Sequence, residues 1–330
     1  MKINILVRIV LFQVLLTFPF IGSANEENLV EKSKTFNRSY PVNMNDVITL
    51  QNQFGEMKIN TWDRNEIKVD IKIFAKANTD EKAQKILDNI YIQESKSSSG
   101  ISFVTKMKNE KNNWTNSKDN SEYKVTGMKI DYVVFMPAGN PLNASNQFGP
   151  MILTDLRGPV TISCKFGSLT AGQLSQVQKV EVEFGEAKIE SINGGTLIVK
   201  FGKGDILQAT GDVDARFEFC NKLRLSLDNN TKALNIRSSY SNIYLNTPSN
   251  LSSSIDIETS FGEFSNKTGF DIKKQGDDES NKQGPKFDKQ YNGIAGSGSN
   301  KLKVKSDFGN VIIGHNLNVD FTTTKKSKVI

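Results

Sequence analysis

One histidine, two cysteines and eight prolines in 330 residues leave this chain short of the side chains that most active sites require. The lone His315 cannot form a histidine cluster, and no Ser-His-Asp constellation can be assembled around it; following an apolar pair, it reads as a surface-turn residue. Zinc needs several Cys and His ligands, which two cysteines and one histidine do not supply. Charge of one sign is also missing. Lys and Arg number 42 against 36 Asp and Glu, a net charge of +6, and the two signs interleave, which argues against a nucleic-acid surface. Beyond residue 24 there is no long apolar run that could serve as a transmembrane segment.

Residues 1–24 are the exception to that polarity. Lys2 and Arg8 precede an apolar run from Ile9 to Ile21, and Gly22-Ser23-Ala24 follow. This pattern predicts a secretory signal peptide cleaved near Ala24/Asn25, and so an extracytoplasmic protein in the periplasm or outside the cell. Losing Lys2 and Arg8 would lower the net charge from +6 to +4.

What the chain has in abundance is a phenylalanine-glycine step. Phe54-Gly55, Phe148-Gly149, Phe166-Gly167, Phe184-Gly185, Phe201-Gly202, Phe261-Gly262 and Phe308-Gly309 are seven copies, with degenerate ones at Cys220-Asn221 and Tyr240-Ser241. Counting the aromatic as position zero, small or apolar residues return at plus three and plus five: Met57/Ile59, Met151/Leu153, Leu169/Ala171, Ala187/Ile189, Gly204/Ile206, Leu223/Leu225, Ile243/Leu245 and Val311/Ile313. Phe264/Asn266 keeps half of the rule. Inward side chains in a flat strand recur every second residue, so an offset of three requires a corner. The reading is that phenylalanine fills the core while glycine, tolerant of positive φ, turns the corner.

Zero positions from 148 to 261 lie 17 to 21 residues apart, a length suited to one coil of a β-solenoid. The expected fold is therefore mainly β, a single-stranded β-solenoid of roughly 18–21-residue Phe-Gly coils stacked about 4.8 Å apart, with an N-terminal strand/helix cap. An antiparallel sandwich with Phe-Gly at its strand ends is the alternative. Cys164 and Cys220 would lie about three coils, or roughly 14 Å, apart, too far for a disulfide, so two buried thiols are expected.

The organisation expected along the chain is an N-terminal strand-helix-strand part over 25–145, regular coils over 146–270, a flexible insertion over 271–300 and a final coil and tail over 301–330. Strand alternation runs from Val47 to about Ala77, with Ile67, Val69, Ile71 and Ile73 on one face. Thr79 or Asp80 caps a helix whose Ala83, Ile86, Leu87 and Ile90 share one side. Strands resume at Tyr91–Gln93, Ile101–Lys106 and Lys129–Met136, and the polar loop 107–122 carries Trp114, a candidate contact residue. The insertion is rich in Lys, Asp, Gly and Ser, and the Lys325–Lys328 tail is expected to fray.

Other chemistry is thin. Asp277-Asp278-Glu279 lacks the spaced oxygen ligands of a calcium loop. Gly194-Gly195 and Gly202-Lys203-Gly204 precede no helix and so form no phosphate loop. Glu181, Glu183, Glu186 and Glu190 are the best candidates for paired carboxylates, yet their alternation with Lys179 and Lys188 reads as a charged outer face.

The leader, the run Asn-Gln-Phe-Gly-Glu-Met-Lys-Ile-Asn-Thr-Trp-Asp at 52–63, the strand Asn-Glu-Ile-Lys-Val-Asp at 65–70 and the later Phe-Gly coils together resemble the adhesin-like DUF4097 family common in Bacteroidetes envelopes. The resemblance covers most of the chain beyond the leader. It implies an exported β-solenoid with no catalytic residues to carry over and no cofactor. The expectation is a non-enzymatic binding or structural module of the cell envelope that contacts a glycan or envelope protein through its outer strand faces. The alternatives are a polysaccharide-acting enzyme on a β-helix and an envelope sensory or assembly partner.

Overall fold

A computed structural model describes residues 29–108, 127–276 and 287–321. The leader, Trp114, the acidic run at 277–279 and the Lys325–Lys328 tail lie outside the described residues.

The first part of the described chain is a strand-rich module with one helix. Its elements are β1 (Val30–Pro41), β2 (Val47–Gln53), β3 (Met57–Trp62), β4 (Glu66–Ala77), α1 (Asp80–Asn89), β5 (Ile90–Ser97), β6 (Gly100–Met107) and β7 (Gly127–Pro137). Alternation in β4 buries Ile67, Val69, Ile71 and Ile73, and β4 pairs antiparallel with both β1 and β7. The Thr79 side chain accepts a hydrogen bond from the Lys82 amide and starts α1. Lys34 Nζ donates to the carbonyls of Leu87 and Ile90, placing a cation at the helix C-terminus, where the dipole favours it. Ala83 and Leu87 are the buried helix residues, and the helix leads from β4 to β5.

The coils follow. They comprise β8 (Leu142–Gln147), β9 (Met151–Leu153), β10 (Leu156–Lys165), β11 (Ser168–Glu183), β12 (Glu186–Lys200), β13 (Lys203–Glu218), β14 (Lys222–Ser239) and β15 (Ile243–Asn246). The last elements are β16 (Ser253–Ser260), β17 (Phe264–Lys267), β18 (Ile272–Gln275), β19 (Asp288–Ala295), β20 (Asn300–Asp307) and β21 (Val311–Gly314). Each long strand bends midway, so its first half pairs on one face and its second half on the other. The first half of β11, for example, pairs with β9 and its second half with β10. Two parallel stacks thus face each other across a core, as expected of a β-solenoid.

One face runs from β2 through β8, β10 and the second halves of β11, β12, β13 and β14 to β20 and β16. The other runs from β3 through β9 and the first halves of the same strands to β15, β21 and β17. Antiparallel strands close both ends: β1, β4 and β5 at one, β18 and β19 at the other.

The coils do not stack in chain order. β20 and β21 sit between the β14/β15 coil and the earlier β16/β17 coil. Residues 271–300, expected as a flexible insertion, include β18 and β19, with β19 antiparallel to β16. The alternation from Asp288 to Ala295 supplies the strand that covers the last coil, while 277–286 lie outside the described residues.

The plus-three and plus-five residues of the regular coils are buried as read from sequence, among them Met57, Ile59, Leu169, Ile189, Leu223, Leu245 and Ile313. Asn52, Asn146, Cys164, Val182, Val199, Phe217, Ser238, Ser306 and Thr259, two residues before each corner aromatic, form a second buried column. Both cysteines are buried free thiols. Burial pushes the Cys164 thiol up to about 11 and raises that of Cys220 as well.

Candidate binding surface

The corner is built differently from the sequence reading. Phe54, Phe148, Phe166, Phe184, Phe201, Phe219, Tyr240, Phe261 and Phe308 themselves adopt positive φ, between 50° and 63°. None of the glycines that follow them does. The aromatics also point out of the core, and apart from the more covered Phe54 they are 44–55 % exposed. The inward positions flank the corner at minus two and plus three, so the zero position is the apex.

Stacking explains how a bulky residue tolerates that backbone. The rings form one ladder in the order Phe54, Phe148, Phe166, Phe184, Phe201, Phe219, Tyr240, Phe308, Phe261 and Phe287. Successive centroids are 4.5–5.2 Å apart, and all but the last pair lie within 7° of parallel. A left-handed backbone costs roughly 1–2 kcal/mol for an L-residue. An inner ring has two stacking partners worth about 0.5–1.5 kcal/mol each, enough to offset that strain.

Glycine is required by close approach. A Cβ on Gly185 would lie 1.7 Å from the carbonyl oxygen of Gly167, and one on Gly167 2.0 Å from that of Gly149. Gly149, Gly202, Gly262 and Gly309 meet the neighbouring coil in the same way, at 1.9–2.1 Å. The buried Asn146 amide locks the first regular corner by donating to the carbonyls of Gly55 (2.9 Å), Gly149 (3.1 Å) and Pro150 (3.1 Å).

Cys220-Asn221 is not a degenerate apex. Phe219 is the apex residue, at φ 53° and stacked between Phe201 and Tyr240. Cys220 takes the glycine's place, and Asn221 is an additional residue before strand pairing resumes at Lys203↔Lys222. Spacing placed the zero at 220 because the intervening residue shifts the aromatic one position early. Phe219 is thus a site residue that sequence reasoning missed, although an aromatic adjacent to the expected zero was the available signal.

Charged rows flank the ladder. On one side, immediately before each apex, Lys165, Glu183, Lys200 and Glu218 alternate in sign, with ion pairs Lys165–Glu183 at 2.9 Å and Lys200–Glu218 at 3.4 Å. On the other side Lys203 pairs with Glu186 at 3.0 Å. The structure does not gather the four candidate carboxylates. Glu181 and Glu183 lie on the second half of β11, whereas Glu186 and Glu190 lie on the first half of β12, on the opposite face. Burial would raise the Glu181 carboxyl, but the Lys179 hydrogen bond and the charges of Lys179, Lys165 and Lys200 outweigh it and hold the group below its ordinary value.

Two other features complete the surface. A groove of about 330 Å³ at the N-terminal end of the ladder is lined by Phe54, Phe148, Met128, Lys129 and the corner backbone. The C-terminal segment folds back over the β13/β14 face. There Lys203 and Lys222 donate to the Phe321 and Asp320 carbonyls, and the Arg224 guanidinium, bidentate to Asp205 at 2.7 Å, lies over the Phe321 ring. His315, read as a surface-turn residue, is half-buried instead. Its Nδ1–H donates to the Thr247 carbonyl at 2.8 Å, and its ring meets Phe270 edge-on.

Fold and surface together define a two-faced β-solenoid with an aromatic ladder along one edge. No family model matches the chain, and no curated protein matches it. Similar solved structures include a "putative cell adhesion protein" from Clostridium sporogenes, 12 % identical, covering 86 % of this chain and 100 % of that one at a TM-score of 0.26. A "putative adhesin" from Bacteroides fragilis is 12 % identical over 85 % of this chain and 97 % of its own, at a TM-score of 0.34. A "putative lipid binding protein" from Parabacteroides distasonis is 14 % identical over 84 % and 96 %, at 0.29. No helix among the described residues is long and apolar enough to cross a membrane.

Proposed function

We propose that this chain is an exported, non-enzymatic, adhesin-like module of the cell envelope, a DUF4097-type solenoid that binds through repeated weak contacts along its outer surface. The observation that supports this reading is the ladder: ten aromatic rings in register, most of them half exposed, flanked by alternating charges. A half-exposed phenylalanine leaves on the order of 100 Å² in water, so the nine half-exposed rings of the ladder leave roughly 900 Å² of contiguous apolar edge. That exceeds the patch of about 300–600 Å² that a monomeric protein ordinarily tolerates, and larger patches mark interaction sites. The leader pattern at 1–24 supports placement outside the cytoplasm.

The test is an assay of the purified protein on a panel of glycans and envelope proteins. Saturable retention without product is the expected result. Turnover of a glycan overturns the non-enzymatic reading.

A further inference from the structure

We infer that the partner of the ladder is a second copy of this chain, docked antiparallel across a two-fold axis centred between Phe184 and Phe201. The inference rests on the binding reading above and names its partner.

Geometry comes first. The rings stack at 4.7–5.2 Å along the regular coils, so their faces are covered by one another and only their edges reach solvent. Sugar rings bind aromatic faces, which are free only at the two ends of the ladder. A protein edge with the same pitch meets every rung at once, and a second copy has that pitch. Eight rungs, from Phe54 to Phe308, would then oppose eight rungs of the partner. Seven of them are half exposed, and at about 100 Å² each they supply roughly 700 Å², near the roughly 800 Å² per partner of a standard stable interface.

Charge fixes the register. A two-fold axis perpendicular to the ladder and lying in the interface sets each flanking row against itself in reverse. The row Lys165, Glu183, Lys200, Glu218 alternates in sign over an even number of positions, so reversal about its midpoint opposes unlike charges throughout. Glu183 then faces Lys200 of the partner subunit, and Lys165 faces Glu218 of the partner subunit. The row on the other side obeys the same centre, because Glu186 faces the partner's Lys203. An isologous interface needs this self-complementarity. An anionic membrane would instead call for a row of one sign, and these rows alternate with internal ion pairs at 2.9–3.4 Å.

Light scattering or sedimentation of the purified protein across micromolar concentrations tests the proposal. A mass of two copies is expected. Lys200→Glu sets carboxylate against carboxylate at two symmetry-related places and should weaken the dimer roughly tenfold or more. Adding Glu183→Lys restores opposite charges across the axis while leaving like charges next to each other within each copy. The dimer should therefore recover although the monomer's own stability does not. Phe184→Asn, which keeps a residue that accepts positive φ, removes a central rung and should also shift the protein toward monomer with its β circular-dichroism signal intact. A monomer at every concentration, or a dimer indifferent to both Lys200→Glu and Phe184→Asn, overturns the inference. A monomer that is still retained saturably by a glycan overturns self-pairing and leaves the binding reading standing, whereas a monomer retained by nothing overturns both.

Discussion

From Phe166 to Phe201 the corner repeats without change: an aromatic at positive φ, a glycine with no room for a Cβ, and immediate return to the strand. From Phe219 to Tyr240 the aromatics keep their backbone and stacking, yet Cys220 and Ser241 stand where glycine should be. The difference shows which part of the motif is obligatory. Stacking continues in every coil, whereas glycine is needed only where two corners meet without slack. Asn221 supplies that slack, and the freed space is used: Ser241 Oγ accepts from the Cys220 amide at 2.9 Å and donates to the Ser239 carbonyl at 2.9 Å.

The sharpest way to break this comparison is Gly185→Ala against Ser241→Ala. The first drives a methyl into the Gly167 carbonyl and should cost more than about 4 kcal/mol or abolish folding. The second leaves a Cβ that already fits and loses only the hydrogen bonds, about 1–3 kcal/mol. Equal losses in urea unfolding would sink the slack explanation.

A smaller effect separates strain from stacking. Phe184→Ala and Phe184→Gly lose the same two ring contacts, but alanine retains the cost of positive φ. Here glycine should be the more stable variant by about 1 kcal/mol, the reverse of its usual rank within a strand. If alanine is at least as stable in thermal unfolding, the backbone at the apex is unstrained.

The two cysteines report on the same pair of regions. Both thiols are raised by burial, Cys164 to about 11, so neither should react with a thiol reagent near neutral pH while folded. Cys220, at the interrupted corner, should label first under mild denaturant as local opening precedes global unfolding. Preferential labelling of Cys164 by mass spectrometry would contradict that. Because the folded pKa of Cys164 lies above its unfolded one, that thiol's contribution to stability is complete below about pH 9 and is lost as pH rises toward about 11; the contribution of Cys220, also raised by burial, is lost on the alkaline side as well.

The smallest effect belongs to the flanking ion pairs. Lys165→Ala removes a partly exposed partner of Glu183 and should change monomer stability by no more than about 0.5 kcal/mol. A larger loss in chemical unfolding would mean that the rows hold the coils together.

Much of this was legible in the residues. The plus-three and plus-five rule names core positions because strand alternation is local, and the helix at Asp80–Asn89 was visible in its Thr79 cap and its spacing. The direction of the apex was not. A phenylalanine reads as core by hydrophobicity, and nothing in its neighbours indicates that its own φ is positive or that another phenylalanine covers its face. Trp114, singled out as a contact residue, lies outside the described residues, while six of the seven Phe-Gly phenylalanines assigned to the core are exposed.

The amino-acid sequence by itself determined the coil: its length, the place of its corner and its plus-three and plus-five inward residues, all set by alternation and by a dipeptide within some twenty positions. Only the tertiary structure decided which coil lies against which. It set Phe308 between Tyr240 and Phe261, made Phe219 rather than Cys220 the apex, and turned seven separate Phe-Gly steps into one ladder of ten rings. The physical reason is that alternation acts between residues near in the chain, whereas ring stacking and the glycine clash act between residues that only the pairing of strands brings together.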